Sequence, residues 1–427
     1  MIKKTAFFII LIVICSFTLF AQGENLTLKI AVMGPGDELY FWWGHIALIV
    51  EDSYTGDRYF FDYGIFDFDD ENFFVNFAFG RLFYKCGVSY AESNLYAYES
   101  TNRNVVIYTL DLPPETKLEI SRFAFINTFP ENRYYFYHHF RDNCSTRIRD
   151  IIDLATNGQF REQAQKQTSR FTLREQVRRH TWFSPAADWF LNFLMGQDID
   201  TPITVWDDMF LPSEVGNRIE NFWYTDINGE KRKLVLSKET VLVSKDRPPV
   251  LDKPKVQWPF YLFFGMALAA IFCFFSFLQI KNIRAGRVLS GISMSLCALV
   301  FGSLGLLLYF MSIFTNHDYT YHNANMIFCT PLLLAAVPAG ITYALTKNPK
   351  KLRLSGGLFR LIWLLVVLGI IISILIKVLP WFYQQNLDVQ MLFLPIALVF
   401  TCHPAGLKET LTKYFPQKKR IAGAKNE

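Results

Sequence analysis

From residue 258 onward the chain carries five apolar stretches separated by short polar loops, at about 258–280, 288–314, 326–345, 361–379 and 391–402. Each of the first four approaches the ~20 residues a helix needs to cross the hydrocarbon of a bilayer. The fifth is short and reaches at most Leu407. Backbone polar groups in lipid must be satisfied within the segment, so residues 258–407 are expected to form an all-α five-helix transmembrane bundle. Composition agrees: 51% of the chain is hydrophobic and only 19% charged, and the apolar excess lies after position 256.

The loop charges orient these spans. Lys281, Arg284 and Arg287 follow the first, Lys347, Lys350, Lys351, Arg353 and Arg360 follow the third, and Lys408, Lys413, Lys418, Lys419 and Arg420 follow the fifth. Loops 315–325 and 384–390 carry no Lys or Arg, and Lys377 nearby is placed to snorkel to the interface. Basic loops stay in the cytoplasm, so the tail 408–427 is expected inside and the neutral loops outside. The N-terminus gives the same orientation. Lys3 and Lys4 precede an apolar run over 6–20, the pattern of a signal segment (1–21) that is cleaved after Ala21 or kept as an anchor. Cys15 sits behind the bulky Ile14 inside that run and is a poor site for lipid attachment. The expected location is the inner (cytoplasmic) membrane, multi-pass, with residues 22–244 on the outer side.

That exported region ends in a linker, 245–257, whose Pro248, Pro249 and Pro254 forbid a helix; it is expected to stand off the membrane. Residues 28–33, 46–50, 58–63 and 105–110 read as strands, and 117–127 and 144–155 as helices, which predicts an α+β domain. The net charge of +5 is modest and its basic residues flank membrane spans, so nucleic acid is not an expected partner. Zinc-finger spacing, P-loops, dinucleotide fingerprints and internal repeats are missing from the sequence, and no cofactor or metal is expected.

Two short segments of the exported region carry chemistry. Trp43-Gly44-His45 leads into the apolar run from Ile46 to Val50, which puts a histidine at a strand edge. Asp142-Asn143-Cys144-Ser145-Thr146-Arg147 puts a cysteine at a helix start. A thiol must ionise to attack. An N-cap at Asp142 or Asn143 would set Cys144 at the positive end of the helix dipole, and His45 could complete the ion pair and protonate the leaving group. Backbone N–H groups at that helix start are natural oxyanion donors. Asp62 on the next strand is the foremost candidate to orient His45, with Asp37, Asp57 and Asp67 as alternatives.

The competing readings are structural. His45 alone would cap an aromatic cluster. Cys86 and Cys144, the two cysteines of the exported domain, could form a disulfide that abolishes the nucleophile. Cys273, Cys297, Cys329 and Cys402 lie in or beside apolar spans and read as packing residues. His138 and His139 follow the aromatic stretch Tyr134-Tyr135-Phe136-Tyr137 and read as packing or surface residues. Arg174, Arg178, Arg179 and His180 read as a solvated or membrane-facing helix side, and His322 as a contact to a lipid headgroup or a solvated loop end. The histidine precedes the cysteine by about a hundred residues, opposite to papain-like order. Triad geometry survives changes of chain order, and a circularly permuted papain-like fold would give this arrangement.

These segments resemble the Lnb-type lipoprotein N-acyltransferase family. The resemblance rests on Trp43-Gly44-His45, on Phe61-Asp62-Tyr63-Gly64-Ile65-Phe66-Asp67-Phe68 and on Asp142-Asn143-Cys144-Ser145-Thr146-Arg147-Ile148-Arg149-Asp150. It extends to Asp208-Met209-Phe210-Leu211-Pro212 and to His322-Asn323-Ala324-Asn325 followed by Thr330-Pro331-Leu332, and to the five C-terminal helices. The Asp-Asn-Cys-Ser-Thr-Arg string is fairly specific; the Gly-His pair alone is weak. The resemblance implies a permuted, NlpC-like thiol enzyme facing the periplasm. Its cysteine would take an acyl chain from a phospholipid as a thioester and pass it to the N-terminal amine of a lipoprotein. His45 and Cys144 carry over to the family pattern; the third residue has no match there. An enzyme of this build could instead be a cell-wall amidase or peptidase with the same dyad. A non-catalytic membrane protein that binds a partner is the reading a disulfide would favour.

Overall fold

The computed structural model describes residues 23–66, 71–281 and 283–403. The signal segment 1–21, Asp67 and the basic tail 408–427 lie outside them. Within them the chain forms two compact units. The first runs to Ser184 and resumes over Thr201–Pro254; the second takes Pro185–Asp200 and the residues from Lys255 on. The chain therefore passes between the units three times.

The first unit is sheet-rich. Strands β1 (Leu26–Met33), β2 (His45–Asp52), β3 (Arg58–Ile65), β4 (Phe83–Tyr90), β5 (Val105–Leu110), β6 (Tyr134–Phe136) and β9 (Val235–Leu242) make one antiparallel sheet in the order β6-β4-β3-β2-β1-β5-β9. A separate two-stranded ribbon pairs β7 (Trp223–Thr225) with β8 (Lys231–Lys233). Side chains alternate across a strand. Ile46, Leu48, Phe61 and Tyr63 face one side, against Ile148, Ile151 and Ile152. Ala47, Ile49 and Phe60 face the other, against Ala91, Leu95 and Tyr98. Both faces of β2 are covered, which is why its sequence is a continuous apolar run rather than an alternation.

Of the helices in this unit, α1 (Phe73–Ala78) and α2 (Ala91–Ser100) flank β4, α3 (Pro114–Ile126) follows β5, and α4 (Cys144–Ala155) follows β6. The sequence places α4 at the observed bounds. It starts α3 at residue 117, but Pro114, whose fixed φ suits a first helical turn, begins it earlier.

One expectation is corrected here. The side chains of Arg174, Arg178 and His180, on the helix Leu173–Thr181, are buried rather than solvated. The Pro-rich segment bonds to the same helix and its end. Arg179 Nε donates to the Leu251 carbonyl at 2.6 Å, and Trp182 Nε1 to that of Pro249 at 2.9 Å. Lys245 and Asn102 exchange two further bonds, and Arg247 pairs with Asp37 at 2.8 Å. The segment still has neither helix nor strand, as its prolines dictate. Burial pushes the His180 imidazole down to about 4, so it stays neutral.

The second unit holds four segments long and apolar enough to cross a membrane, Trp258–Ile280, Arg284–Phe314, Ala324–Leu345 and Pro349–Val378, and a shorter apolar helix, Leu387–Thr401. The third is not a single helix. Turns at Ala324–Ile327 and Pro331–Ala335 precede the helix Ala336–Leu345, because Pro331 forces Thr330 into extended backbone. The fourth begins at Pro349 rather than Leu361, since Asn348 caps the N–H groups of Lys350 and Lys351.

The helix Pro185–Leu194 also belongs to this unit. Its last carbonyls lack partners inside the helix and are buried. Asn323 Nδ2 donates to those of Phe193 and Leu194 at 2.9 and 3.0 Å, Asn325 Nδ2 to Phe193 at 2.9 Å, and Gln384 Nε2 to Met195 at 2.8 Å. Asn192 Nδ2 donates to Asp388 at 2.6 Å. The His322-Asn323-Ala324-Asn325 string is thus a C-terminal cap for another helix. His322 sits 2.9 Å from Asp198, a contact neither sequence reading named.

Candidate active site

His45 is the first residue of β2. Gly44 before it has φ +81, and a Cβ there would come within 2.6 Å of the Met33 carbonyl oxygen, so only glycine makes this turn. Asp62 pairs with Ala47 in the β2–β3 register. Asp62 and His45 are therefore diagonal neighbours on one face. Asp62 Oδ1 lies 2.6 Å from His45 Nε2. Of the alternatives, Asp37 pairs with Arg247 and Asp57 accepts from Tyr59 at 3.1 Å.

Burial would push the His45 imidazole down. The Asp62 carboxylate outweighs that and holds it well above its ordinary value. The imidazolium is the favoured form.

Cys144 opens α4, and the other letters of its string hold that opening in place. Asn143 Oδ1 accepts from Thr146 N at 2.9 Å while Thr146 Oγ1 accepts from Asn143 N at 2.8 Å, a reciprocal capping box. Asn143 Nδ2 donates to the carbonyls of His139 (2.7 Å) and Phe210 (3.0 Å), which ties the helix start to the Asp208-Met209-Phe210 segment. Asp142 and Arg147 form a bidentate pair at 2.5 and 2.7 Å. His138 Nδ1 accepts from the N–H groups of Phe140 and Arg141, shaping the turn before Asp142.

Cys144 and Cys86 are both free thiols, so the disulfide reading does not hold. Burial pushes the Cys86 thiol up to about 12, which keeps it protonated. Cys144 is 9% exposed and packs on the Ile46/Tyr63 side of the sheet. Strand alternation puts His45 and Asp62 on the other side. Cys144 is nonetheless among the groups that act electrostatically on His45, and a Cβ built on Gly64, two residues after Asp62 on β3, would lie 3.8 Å from the Cys144 Cβ.

Gly64 has φ +93 and stands where the β3–β4 register slips, the mark of a bulge. Sequence reasoning quoted this glycine without giving it a role; an isolated glycine inside a strand pattern was the available signal. Tyr135 and Tyr137 also reach it. Their nearest atoms to that Cβ position are Tyr137 Cε2 at 3.5 Å and the Tyr135 hydroxyl at 3.9 Å. Burial above all pushes both phenols up, so they remain protonated donors. Tyr137 packs against Tyr84 with ring centres 4.4 Å apart, and the Arg147 guanidinium lies 4.2 Å over the Tyr135 ring. Among the described residues, no group of three or more His, Cys, Asp or Glu side chains is placed to hold a metal ion.

Residues 16–179 match the family model described as the Lnb N-terminal periplasmic domain. The match spans His45, Asp62 and Cys144; the 208–212 and 322–332 segments lie beyond it. No curated protein and no solved structure matches the chain. A periplasmic domain together with four helices able to cross a bilayer makes this a membrane protein with an extracytoplasmic domain. Over the segment that holds His45, Asp62 and Cys144, the chain is thus similar to the Lnb N-terminal periplasmic domain.

Proposed function

We propose that this protein is a membrane-bound thiol acyltransferase that moves an acyl chain from a phospholipid, through a Cys144 thioester, to the N-terminal amine of a lipoprotein. The observation that carries the reading is a cysteine on a capped helix N-terminus, in one domain with a histidine held by Asp62, and in a chain that also carries membrane-type helices. In this reading the domain is a circularly permuted papain-like unit, and the shorter apolar helix completes a five-span inner-membrane bundle.

The chemistry follows from the groups present. Asp62 accepts from His45 Nε2–H, so Nδ1 is the ring nitrogen left to take the thiol's proton in this reading. Proton transfer from Cys144 to that nitrogen gives a thiolate–imidazolium pair. The thiolate attacks the ester carbonyl carbon; a C–S bond forms and the π pair moves to oxygen. Collapse breaks the ester C–O bond, and His45 gives its proton to the departing lysophospholipid alkoxide. The lipoprotein amine then attacks the thioester carbon, a C–N bond replaces the C–S bond, and His45 takes the amine proton as the thiolate is released and regenerated. Both substrates are membrane-anchored, so tethering the site to the same bilayer raises their effective concentration.

The test is mass spectrometry of lipoprotein N-termini from cells depleted of their own N-acyltransferase. Cells given the wild-type chain should show a third acyl chain, and those given Cys144→Ala should not. A wild-type chain that is well expressed and adds none would overturn the reading.

A further inference from the structure

The Tyr135 hydroxyl oxygen is buried and has no hydrogen-bond partner among the described residues. Leaving a buried hydroxyl unpaired costs about 1–3 kcal/mol, so its place in the fold calls for an explanation. Its surroundings supply one. The hydroxyl and the Cys144 Cβ both lie within 4 Å of the point where Gly64 would carry a Cβ. The glycine thus leaves a methyl-sized space bounded by the thiol-bearing carbon on one side and a phenol donor on the other. The phenol cannot swing away freely: β6 pairs Tyr135 with Tyr84, and Arg147, itself clamped by Asp142, covers its ring. An acyl group on Cys144 Sγ places its carbonyl oxygen one bond beyond the carbon joined to sulfur, within reach of that space.

The geometry points to Tyr135 as a further catalytic residue, whose hydroxyl donates a hydrogen bond to the carbonyl oxygen of the acyl group as it becomes an oxyanion on Cys144, with Gly64 as the residue that keeps room for that oxygen. The assignment rests on the acyltransferase reading above and adds a side-chain donor to the backbone N–H groups of α4. No proton changes hands: the O–H of Tyr135 stays intact while charge builds on the carbonyl oxygen during attack and disperses on collapse.

Tyr135→Phe is the test, in the full-length protein in detergent micelles. Two rates at Cys144 are compared. One is thioester formation from phosphatidylethanolamine bearing a fluorescent acyl chain, read as hydroxylamine-sensitive label on the protein. The other is alkylation by iodoacetamide, which attacks a thiolate without passing through an oxyanion. The variant should form thioester about 10²-fold more slowly, the usual cost of one oxyanion donor, at an unchanged alkylation rate. It should melt no lower than wild type, because the hydroxyl removed has no partner to lose. Thioester formation at the wild-type rate in Tyr135→Phe overturns the assignment. So does a parallel loss of alkylation, which would place Tyr135 on the thiolate or in the fold. If the wild-type protein takes no more label than Cys144→Ala, the acyltransferase reading itself fails and the assignment goes with it.

Discussion

His45 and Asp62 stand diagonally across two neighbouring antiparallel strands, with Nε2 and Oδ1 2.6 Å apart. This pair fixes which imidazole nitrogen is left for Cys144, and it sets the charge of the ring. Replacing Asp62 by Asn keeps the shape and removes the largest influence raising the His45 imidazole, so burial then dominates and the ring titrates lower. A histidine whose folded value lies above its unfolded value, near 6.5, contributes stability below about pH 6.5 and loses it as pH rises through the folded value. Wild-type protein should therefore show a falling Tm as pH is raised above neutral, and Asp62→Asn a flatter profile. Acyl transfer should fall about 10²–10⁴-fold, the range expected when a triad loses its orienting carboxylate. Scanning fluorimetry over a pH series, beside transfer rates, checks both; an unchanged Tm profile would contradict the coupling.

Asn143 has three bonds to lose. An ordinary N-cap deletion costs about 1 kcal/mol. Asn143→Ala would also strip the amide from the buried approach of Phe210 and from His139, so the total should reach about 2 kcal/mol or more. Thermal unfolding should show the drop, and the alkylation rate of Cys144 should fall as the helix start frays. A loss no greater than that of an exposed cap would mean that the tie to Phe210 carries no weight.

In the second unit, Asn323→Ala removes two donors from the carbonyls that end Pro185–Leu194. The expected cost is about 1–3 kcal/mol for buried acceptors left short. It should appear as earlier thermal unfolding in detergent, with Cys144 alkylation unchanged because every bond lost lies inside that unit.

Much of this architecture is legible in the sequence where burial and periodicity agree. β2 and β3 read clearly because both are apolar runs, α4 because Ile148, Ile151, Ile152 and Ala155 follow helical spacing, and Trp258–Ile280 because nothing interrupts it. Asp62 could be put before its rivals because it lies on the strand that follows that of His45. What stays hidden depends on tertiary partners. β9 is charged and largely exposed, an edge strand recognisable only by its pairing with β5. Arg174 and Arg178 look solvated in the sequence, and only the fold shows them buried. Pro185–Asp200 has soluble-domain composition, yet its buried carbonyls are completed by asparagines more than a hundred positions away. Tyr135 lies in a run of four aromatics, and only the bulge at Gly64 distinguishes it from its neighbours.

The most direct measurement is peptide mass spectrometry of Cys144 itself. Purified protein is incubated with phosphatidylethanolamine vesicles without acceptor, digested at low pH, and the peptide bearing Cys144 is weighed. The account predicts an acyl adduct on Cys144 that hydroxylamine removes and that a synthetic diacylglyceryl-cysteine peptide discharges into a triacylated product. An unmodified Cys144, or an adduct that the acceptor cannot discharge, would contradict it.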